Sequence, residues 1–228
     1  VFCLLCLKLQ GGIVSFIAVL FGILTALVVY LLASPNGHFS HGKMILTGIG
    51  IAALFDAVTS YLLTKTAEFN VSVTMQWLSG NLNGMEKKDI PLLAFSVLFF
   101  GLILCFLERH LQILALGDDY ATALGIDLGR TCLLIIFCGV CLVAFPTAVT
   151  GPVASVAFLS GPIASRLTGY VKSSVLPSAF VGALLVLAAD FIGNRLLPVH
   201  YPAGVITGLL GAPYMLYLLI NINKKGAL

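Results

Sequence analysis

The sequence predicts an all-α fold, that of a polytopic helical membrane protein. Of its 228 residues, 60% are hydrophobic and only 9% are charged, and the mean hydropathy is +1.09. Soluble domains contain about half apolar and about 25% charged residues, so a soluble core of this length would not enclose so much apolar surface. The apolar residues form long runs without the alternation of transmembrane β-strands, which favours helices. The net charge of +3 is small and scattered, which argues against nucleic-acid binding.

A membrane-spanning helix needs about 20 apolar residues, and seven segments approach that length. The third is expected to end at Glu108, and the fourth to break near Pro146. The fifth is short and rich in Gly, Ser and Ala, which indicates a helix buried among other helices. The predicted spans are 12–32, 44–63, 91–107, 131–148, 152–167, 176–197 and 203–220. Residues 1–11 are interpreted as the tail of an earlier span, so the sequence is expected to be a fragment.

One polar loop between two spans, residues 116–130, contains residues typical of helix starts and helix ends, which a simple connection between spans does not need. Asp118 or Asp119 is predicted to N-cap a short helix that Gly125 ends, and Asp127 to begin a further turn. The distribution of Lys and Arg in the flanks weakly favours the cytoplasmic side for this loop. The loop is therefore a candidate functional element.

The long connection 64–90 falls on the opposite, outer side in this orientation. Trp77 and Leu78 are typical of an interfacial turn of helix. Lys87 and Lys88 have two interpretations: they attract an acidic partner, or they only solvate and anchor the interface.

Two carboxylates lie within predicted spans. Asp56 is in the middle of the second span, where an ionised carboxylate costs on the order of 3 kcal/mol, so it either lines a pathway or is hydrogen-bonded, for example to Thr59 or Ser60. Asp190 also needs a partner, and a structural role is favoured. Arg195, five residues further on, is poorly spaced to pair with it.

Enzyme and metal signatures are weak. Cys138 and Cys141 have CxxC spacing inside an apolar run, where packing is the better interpretation than redox or metal chemistry. His38 and His41 lack a nearby carboxylate or cysteine, so no metal site is expected. No Walker, HExxH, GxSxG or GxGxxG motif occurs, so no catalytic residues and no directly bound cofactor are expected.

Five motifs together resemble the FecCD-type permeases, the membrane subunits of iron–siderophore and cobalamin ABC importers. They are MILTGIGIAALFDAVTS, MQWLSGNLNG, LALGDDYATALGIDLGR, TGPVA and YPAGVITGLLGAPYMLYLL, and they occur in the family's order over nearly the whole chain. The resemblance implies a type II ABC importer permease fold of about ten spans. Residues 1–228 would be a single transmembrane permease domain, N-terminally incomplete, with about seven spans.

The resemblance also implies roles and partners. Residues 116–130 would be cytoplasmic coupling helices that dock on a separate ATP-binding subunit, which holds ATP and Mg. The implied coupling residues are Leu116, Gly117, Asp118, Asp119, Ala121, Leu124, Gly125 and Ile126. The implied translocation path contains Asp56, Thr59, Gly208, Gly211 and Pro213. Arg195, Lys87 and Lys88 would meet an extracytoplasmic substrate-binding protein, and a second, identical or different permease subunit would complete the transporter.

The function implied is ATP-driven import of a ferric siderophore across the bacterial cytoplasmic (inner) membrane, in a transport subunit that is not itself an enzyme. Residues 160–166 lack the family's common Pro-His pair, residues 200–204 lack its acidic residue, and Asp56 stands where a small polar residue is common. These departures lean towards catecholate or mixed siderophores. The alternative is an ion-coupled secondary transporter that uses Asp56 and Asp190 as a relay.

Overall fold

Helices make up most of the chain that the structure describes. This computed structural model describes residues 12–33, 41–65, 74–75, 77–82, 85, 87–169, 175–196 and 201–225. All regular structure within those ranges is helical, as the sequence predicts. The elements are α1 (Gly12–Ala33), α2 (His41–Thr64), α3 (Ile90–Phe106), α4 (Glu108–Leu114), α5 (Asp118–Ala123), α6 (Leu128–Thr150), α7 (Ala154–Leu167), α8 (Val175–Phe191), a π-helical turn (Ile192–Leu196) and α9 (Ala203–Lys225).

Each predicted span corresponds to a helix, but the helices differ in length. Among the described residues, four helices are long and apolar enough to cross a membrane, and five if the bent pair α3–α4 is one span. The four are α1, α2, α6 and α8 with its π-helical turn. Helix α7 has 14 residues, which at about 1.5 Å each covers only about two thirds of a hydrocarbon core about 30 Å thick. A helix is therefore present at each of the seven predicted spans, but not all of these helices are long enough to cross a membrane.

One predicted helix end is confirmed, and the predicted break near Pro146 is wrong. Helix α6 continues through Pro146 and ends at Thr150, because membrane helices tolerate a proline where neighbouring groups cover the freed carbonyl. Helix α3 ends at Phe106 with Leu107 as its C-cap, as predicted, and Glu108 begins a further helix, α4, which is bent by 52° from α3. The backbone N–H of Leu111 reaches back to the carbonyl of Leu107 at 3.0 Å, so helical hydrogen bonding resumes at once after the bend.

The chain divides into two compact units. The first comprises Val1–Thr74 and Glu86–Val149, and the second comprises Met75–Met85 and Thr150–Leu228. We call Met75–Met85 the inserted segment, since it interrupts the first unit in sequence. The expectation of one permease domain over residues 1–228 stays a prediction.

In the first unit, α6 packs against both α1 and α3. A Cβ placed on Gly22 of α1 would lie 3.4 Å from the Cβ of Ala144, so the glycine permits a close approach of these helices. The ring of Phe100 on α3 lies 6.3 Å from the rings of Phe137 and Phe145 on α6. Aromatic contact thus holds α3, and with it the start of α4, against α6.

In the second unit, α7 packs between α8 and α9 through small residues. A Cβ on Gly182 of α8 would lie 3.5 Å from Ser160, and one on Gly211 of α9 would lie 3.0 Å from the Cβ of Ser155. The predicted burial of this short, Gly- and Ser-rich helix among its neighbours is confirmed on these two faces, whereas Phe158 is exposed.

Candidate functional site

The polar loop after α4 forms a compact turn of helix, α5, bounded by two glycines with positive φ. Gly117 is the N-cap with φ of 113°, and Gly125 follows the helix with φ of 80°. The predicted end at Gly125 is confirmed, because a residue with a side chain rarely adopts this conformation. The predicted cap is wrong: Asp118 is already helical, and no side chain caps α5.

Internal contacts brace this turn and join it to α6. Ala121 is fully buried, and its carbonyl accepts the backbone N–H of Ile126 at 3.0 Å. Asp127 caps α6, since its Oδ1 accepts the backbone N–H of Arg130 at 3.2 Å and its Oδ2 lies 3.2 Å from Arg130 Nε. The predicted helix start at Asp127 is thus confirmed, and it opens the long helix α6 directly. These contacts thus fix the four-residue connection, 124–127, between the turn and α6.

Three exposed apolar side chains lie in and beside this turn. Leu116, Tyr120 and Leu124 are 65%, 67% and 64% exposed, and we call them the apolar ridge. Tyr120 and the C-cap Leu124 are about one helical turn apart, whereas Leu116 precedes the N-cap. A contiguous exposed apolar patch marks an interaction surface, so this group is a candidate for one. Asp119 is exposed on the same short helix.

The predicted coupling residues separate into two groups. Leu116, Asp119 and Leu124 are exposed, whereas Ala121 is buried and Ile126 is half-buried, so these last two hold the turn together. Gly117 and Gly125 shape its ends, and the side chain of Asp118 lies outside the described set. Sequence reasoning did not single out Tyr120, although its spacing of four residues from Leu124 was the available signal.

Helix α2 packs against α1, and most of its remaining surface is exposed in this chain. No residue in its membrane-spanning window is buried, and a Cβ on Gly48 or Gly50 would meet nothing within 4 Å. Asp56 is exposed on this helix. Its two interpretations, a residue that lines a pathway and a protonated or hydrogen-bonded carboxyl, both stay predictions. A carboxylate so placed requires water or a protein partner.

The three predicted path residues on α9 lie in different surroundings. Gly211 is buried against α7, where an added Cβ would lie 2.8 Å from Leu159 Cδ1. Gly208 is half-buried, with an added Cβ 3.8 Å from Ser155 Oγ, and Pro213 is exposed. Helix packing accounts for both glycines without a pathway, and only Pro213 presents an open surface.

The basic residues predicted to meet a binding protein are on the surface. Lys87 and Lys88 are exposed in the turn before α3, and Arg195 is exposed in the π-helical turn after α8. Asp190 bonds not to Arg195 but to Asn194, whose Nδ2 donates to its Oδ1 at 2.9 Å. Asn194 is thus the partner that Asp190 was expected to need, although the sequence analysis did not single it out.

Long apolar helices and small-residue packing define the class of multi-pass membrane proteins. A model of the FecCD transport family matches residues 1–221, and the chain belongs to this family. The resemblance read from five sequence motifs is confirmed.

Two curated relatives illustrate the similarity. The ferric enterobactin transport system permease protein FepG of Escherichia coli K12 is 35% identical over 205 residues, which are 90% of this chain and 62% of that protein. The Fe(3+)-citrate import system permease protein YfmE of Bacillus subtilis 168 is 35% identical over 194 residues, which are 84% of this chain and 58% of that protein. The chain thus spans about 60% of the length of these relatives.

The fold also matches a solved structure. A chain from a transporter assigned to the metal-chelate type of ABC transporter, in an inward-facing conformation, superposes with a TM-score of 0.80 at 27% identity. The match covers 89% of this chain and 65% of that one. The predicted all-α permease fold of an ABC importer is thereby confirmed.

Proposed function

We propose that this chain forms part of the permease of an ATP-driven importer for ferric siderophores. The observation that carries the proposal is the apolar ridge, because it lies on a turn that internal hydrogen bonds hold and that only four residues separate from a spanning helix. A protein that contacts the ridge would pass its movement to α6 through this short connection, whereas a loose loop would absorb that movement. The ridge is thus a suitable docking surface for an ATP-binding subunit.

The partner subunit supplies the chemistry. The sequence contains no Walker motif, so ATP and Mg belong on the docked subunit and this chain is not an enzyme. Nucleotide-driven closure of that subunit would displace the ridge and switch the permease between outward- and inward-facing states.

The open face of α2 supports a second permease subunit, identical or different. Asp56 is exposed, and no described residue of this chain lies within 4 Å of a Cβ added to Gly48 or Gly50. Glycines permit close approach of another helix, and Asp56 would then face a hydrated path between protein surfaces instead of lipid. Thr59, one turn further on, is half-buried and lies on the same helix.

Names of two relatives support the substrate class. FepG is named for ferric enterobactin and YfmE for Fe(3+)-citrate, so both act on chelated ferric iron. The exposed Lys87 and Arg195 would contribute to docking of an extracytoplasmic binding protein that delivers the chelate.

Reconstitution of the complete permease in vesicles tests the proposal. With its ATPase, binding protein and ATP, it should accumulate a ferric siderophore, and omission of the ATPase should abolish uptake. Uptake that persists without any ATPase and follows a proton or sodium gradient would instead establish the secondary transporter that Asp56 and Asp190 suggested.

Replacement of Asp56 by asparagine tests its place in the path. We expect uptake to fall by about tenfold, equivalent to ~1.4 kcal/mol of barrier, because the substitution removes a charge from the hydrated surface. Thermal stability should stay equal or rise, since the amide is less costly to desolvate than the carboxylate. Uptake rates and thermal unfolding of the same preparations are measured, with Asp56→Glu as the charge-retaining control. Lower stability with normal uptake would assign Asp56 a structural role.

A further inference from the structure

Three glycines bring the inserted segment into backbone contact with the beginnings of two helices. We call Gly80, Gly151 and Gly204 the glycine junction. A Cβ on Gly151, which precedes α7, would overlap the carbonyl oxygen of Trp77, and one on Gly204 of α9 would overlap that of Ser79. A Cβ on Gly80 itself would lie 2.7 Å from the carbonyl oxygen of Pro152. At all three positions main chain touches main chain.

Hydrogen bonds connect the same main chains. The backbone N–H of Asn81 donates to the carbonyl of Thr150 at 2.8 Å, and that of Gly204 donates to the carbonyl of Gly80 at 3.2 Å. The inserted segment is therefore bonded on one side to Thr150, shortly before α7, and on the other to the start of α9. Gly80 and Gly151 have φ of 70° and 78°, a conformation that favours glycine.

The end of α8 joins the same arrangement. Ala189, Ala203 and Ile206 form a buried apolar cluster, and Leu82 of the inserted segment packs against it. Within the π-helical turn, the carbonyl of Gly193 accepts the backbone N–H of Tyr201 at 3.3 Å. A π-helical turn inside a helix often marks a functional region, and here it brings α8 to the start of α9.

Contacts of this kind resist sliding. Where side chains separate two helices, rotamer changes let the helices shift by an ångström or more at small cost. At the glycine junction no side chain intervenes, so a shift would break backbone hydrogen bonds and overlap carbonyl oxygens. Close-packed protein atoms transmit such strain instead of absorbing it.

We propose that the glycine junction is a rigid anchor, through which the inserted segment and the starts of α7 and α9 move as one body during transport. This inference rests on the proposed function, because it assigns the junction a role in the transport cycle. A binding protein that contacts the inserted segment then acts on both helices at once. Gly80, Gly151 and Gly204 are positioning residues, since none of them need touch the transported chelate.

A reversible crosslink tests the anchor. Asn81→Cys and Thr150→Cys are introduced into the complete permease after its native cysteines are replaced, of which six occur in this sequence. The hydrogen bond between these two main chains holds them close enough for a disulfide, which requires a Cα separation of about 4.4–6.8 Å. We expect the oxidised transporter to retain uptake within about twofold of its reduced form, a difference of ~0.4 kcal/mol in barrier. A loss of about tenfold or more that dithiothreitol reverses would show that the junction opens during transport.

A second measurement does not depend on uptake. Spin labels at Met75→Cys and Val205→Cys, both exposed positions, report the distance across the junction in the complete permease alone and in its nucleotide-trapped complex. We expect one narrow distance population that shifts by less than about 2 Å between the two states. A broad distribution, or a larger shift, would overturn the anchor even if the crosslinked protein transports. If neither the reduced variant nor its parent shows ATP-dependent uptake, the proposed function is contradicted. A narrow distance distribution in the permease alone would then still show a rigid junction, but one without its assigned role in transport.

Discussion

Gly204→Ala is expected to destabilise the permease by about 2 kcal/mol, although alanine is the better helix former by about 1 kcal/mol. The new Cβ would overlap the carbonyl oxygen of Ser79, and a backbone atom cannot move aside by changing rotamer. The start of α9 or the inserted segment must shift, with loss of the hydrogen bond from Gly204 to Gly80. Thermal unfolding of the detergent-purified permease measures the effect.

Gly208→Ala is the matched control on the same helix. Its Cβ would meet only Ser155 Oγ at 3.8 Å, an ordinary contact distance, so stability should stay equal or rise by up to about 1 kcal/mol. If Gly204→Ala and Gly208→Ala unfold at the same temperature, the start of α9 lies farther from the inserted segment than these contacts indicate, and this prediction is wrong.

The second large effect is expected at the apolar ridge. Tyr120→Ser combined with Leu124→Ser should reduce both ATPase binding and siderophore uptake by about 100-fold. Loss of central aromatic and aliphatic contacts in a protein interface commonly costs ~2–4 kcal/mol. Both side chains are exposed, so the permease itself should fold normally. Co-purification with a tagged ATPase and uptake into vesicles are measured together.

Ala123→Ser is the control for the ridge, because Ala123 is exposed on the same helix but is outside the ridge. It should leave assembly and uptake unchanged. Normal ATPase binding by the double serine variant would place the docking surface elsewhere, whereas normal binding with lost uptake would limit the ridge to transmission of movement.

Sequence patterns predicted the features that depend on local chemistry. The apolar runs predicted the helices, and Asp127 and Gly125 predicted a helix start and a helix end, because caps act within a few residues. The same logic failed for Asp118, where Gly117 took the cap position, and for Pro146, whose surroundings in the folded chain decide whether a helix continues.

Contacts between distant parts of the chain were not predictable. Gly80 and Gly204 are separated by more than a hundred residues, and neither glycine indicates its partner in the sequence. The same holds for the exposure of Asp56. The sequence placed this residue within a span, but whether it is exposed depends on which helices pack against α2. Tyr120 was missed because an aromatic residue between two leucines is equally typical of a buried helix face.

The exposed face of α2 has a consequence for biosynthesis. A chain released from the ribosome without a partner would hold the Asp56 carboxylate against lipid, at a cost of about 3 kcal/mol. Under the proposed function, a second subunit that covers α2 would remove this cost, so the carboxylate would favour pairing of the subunits by a similar amount.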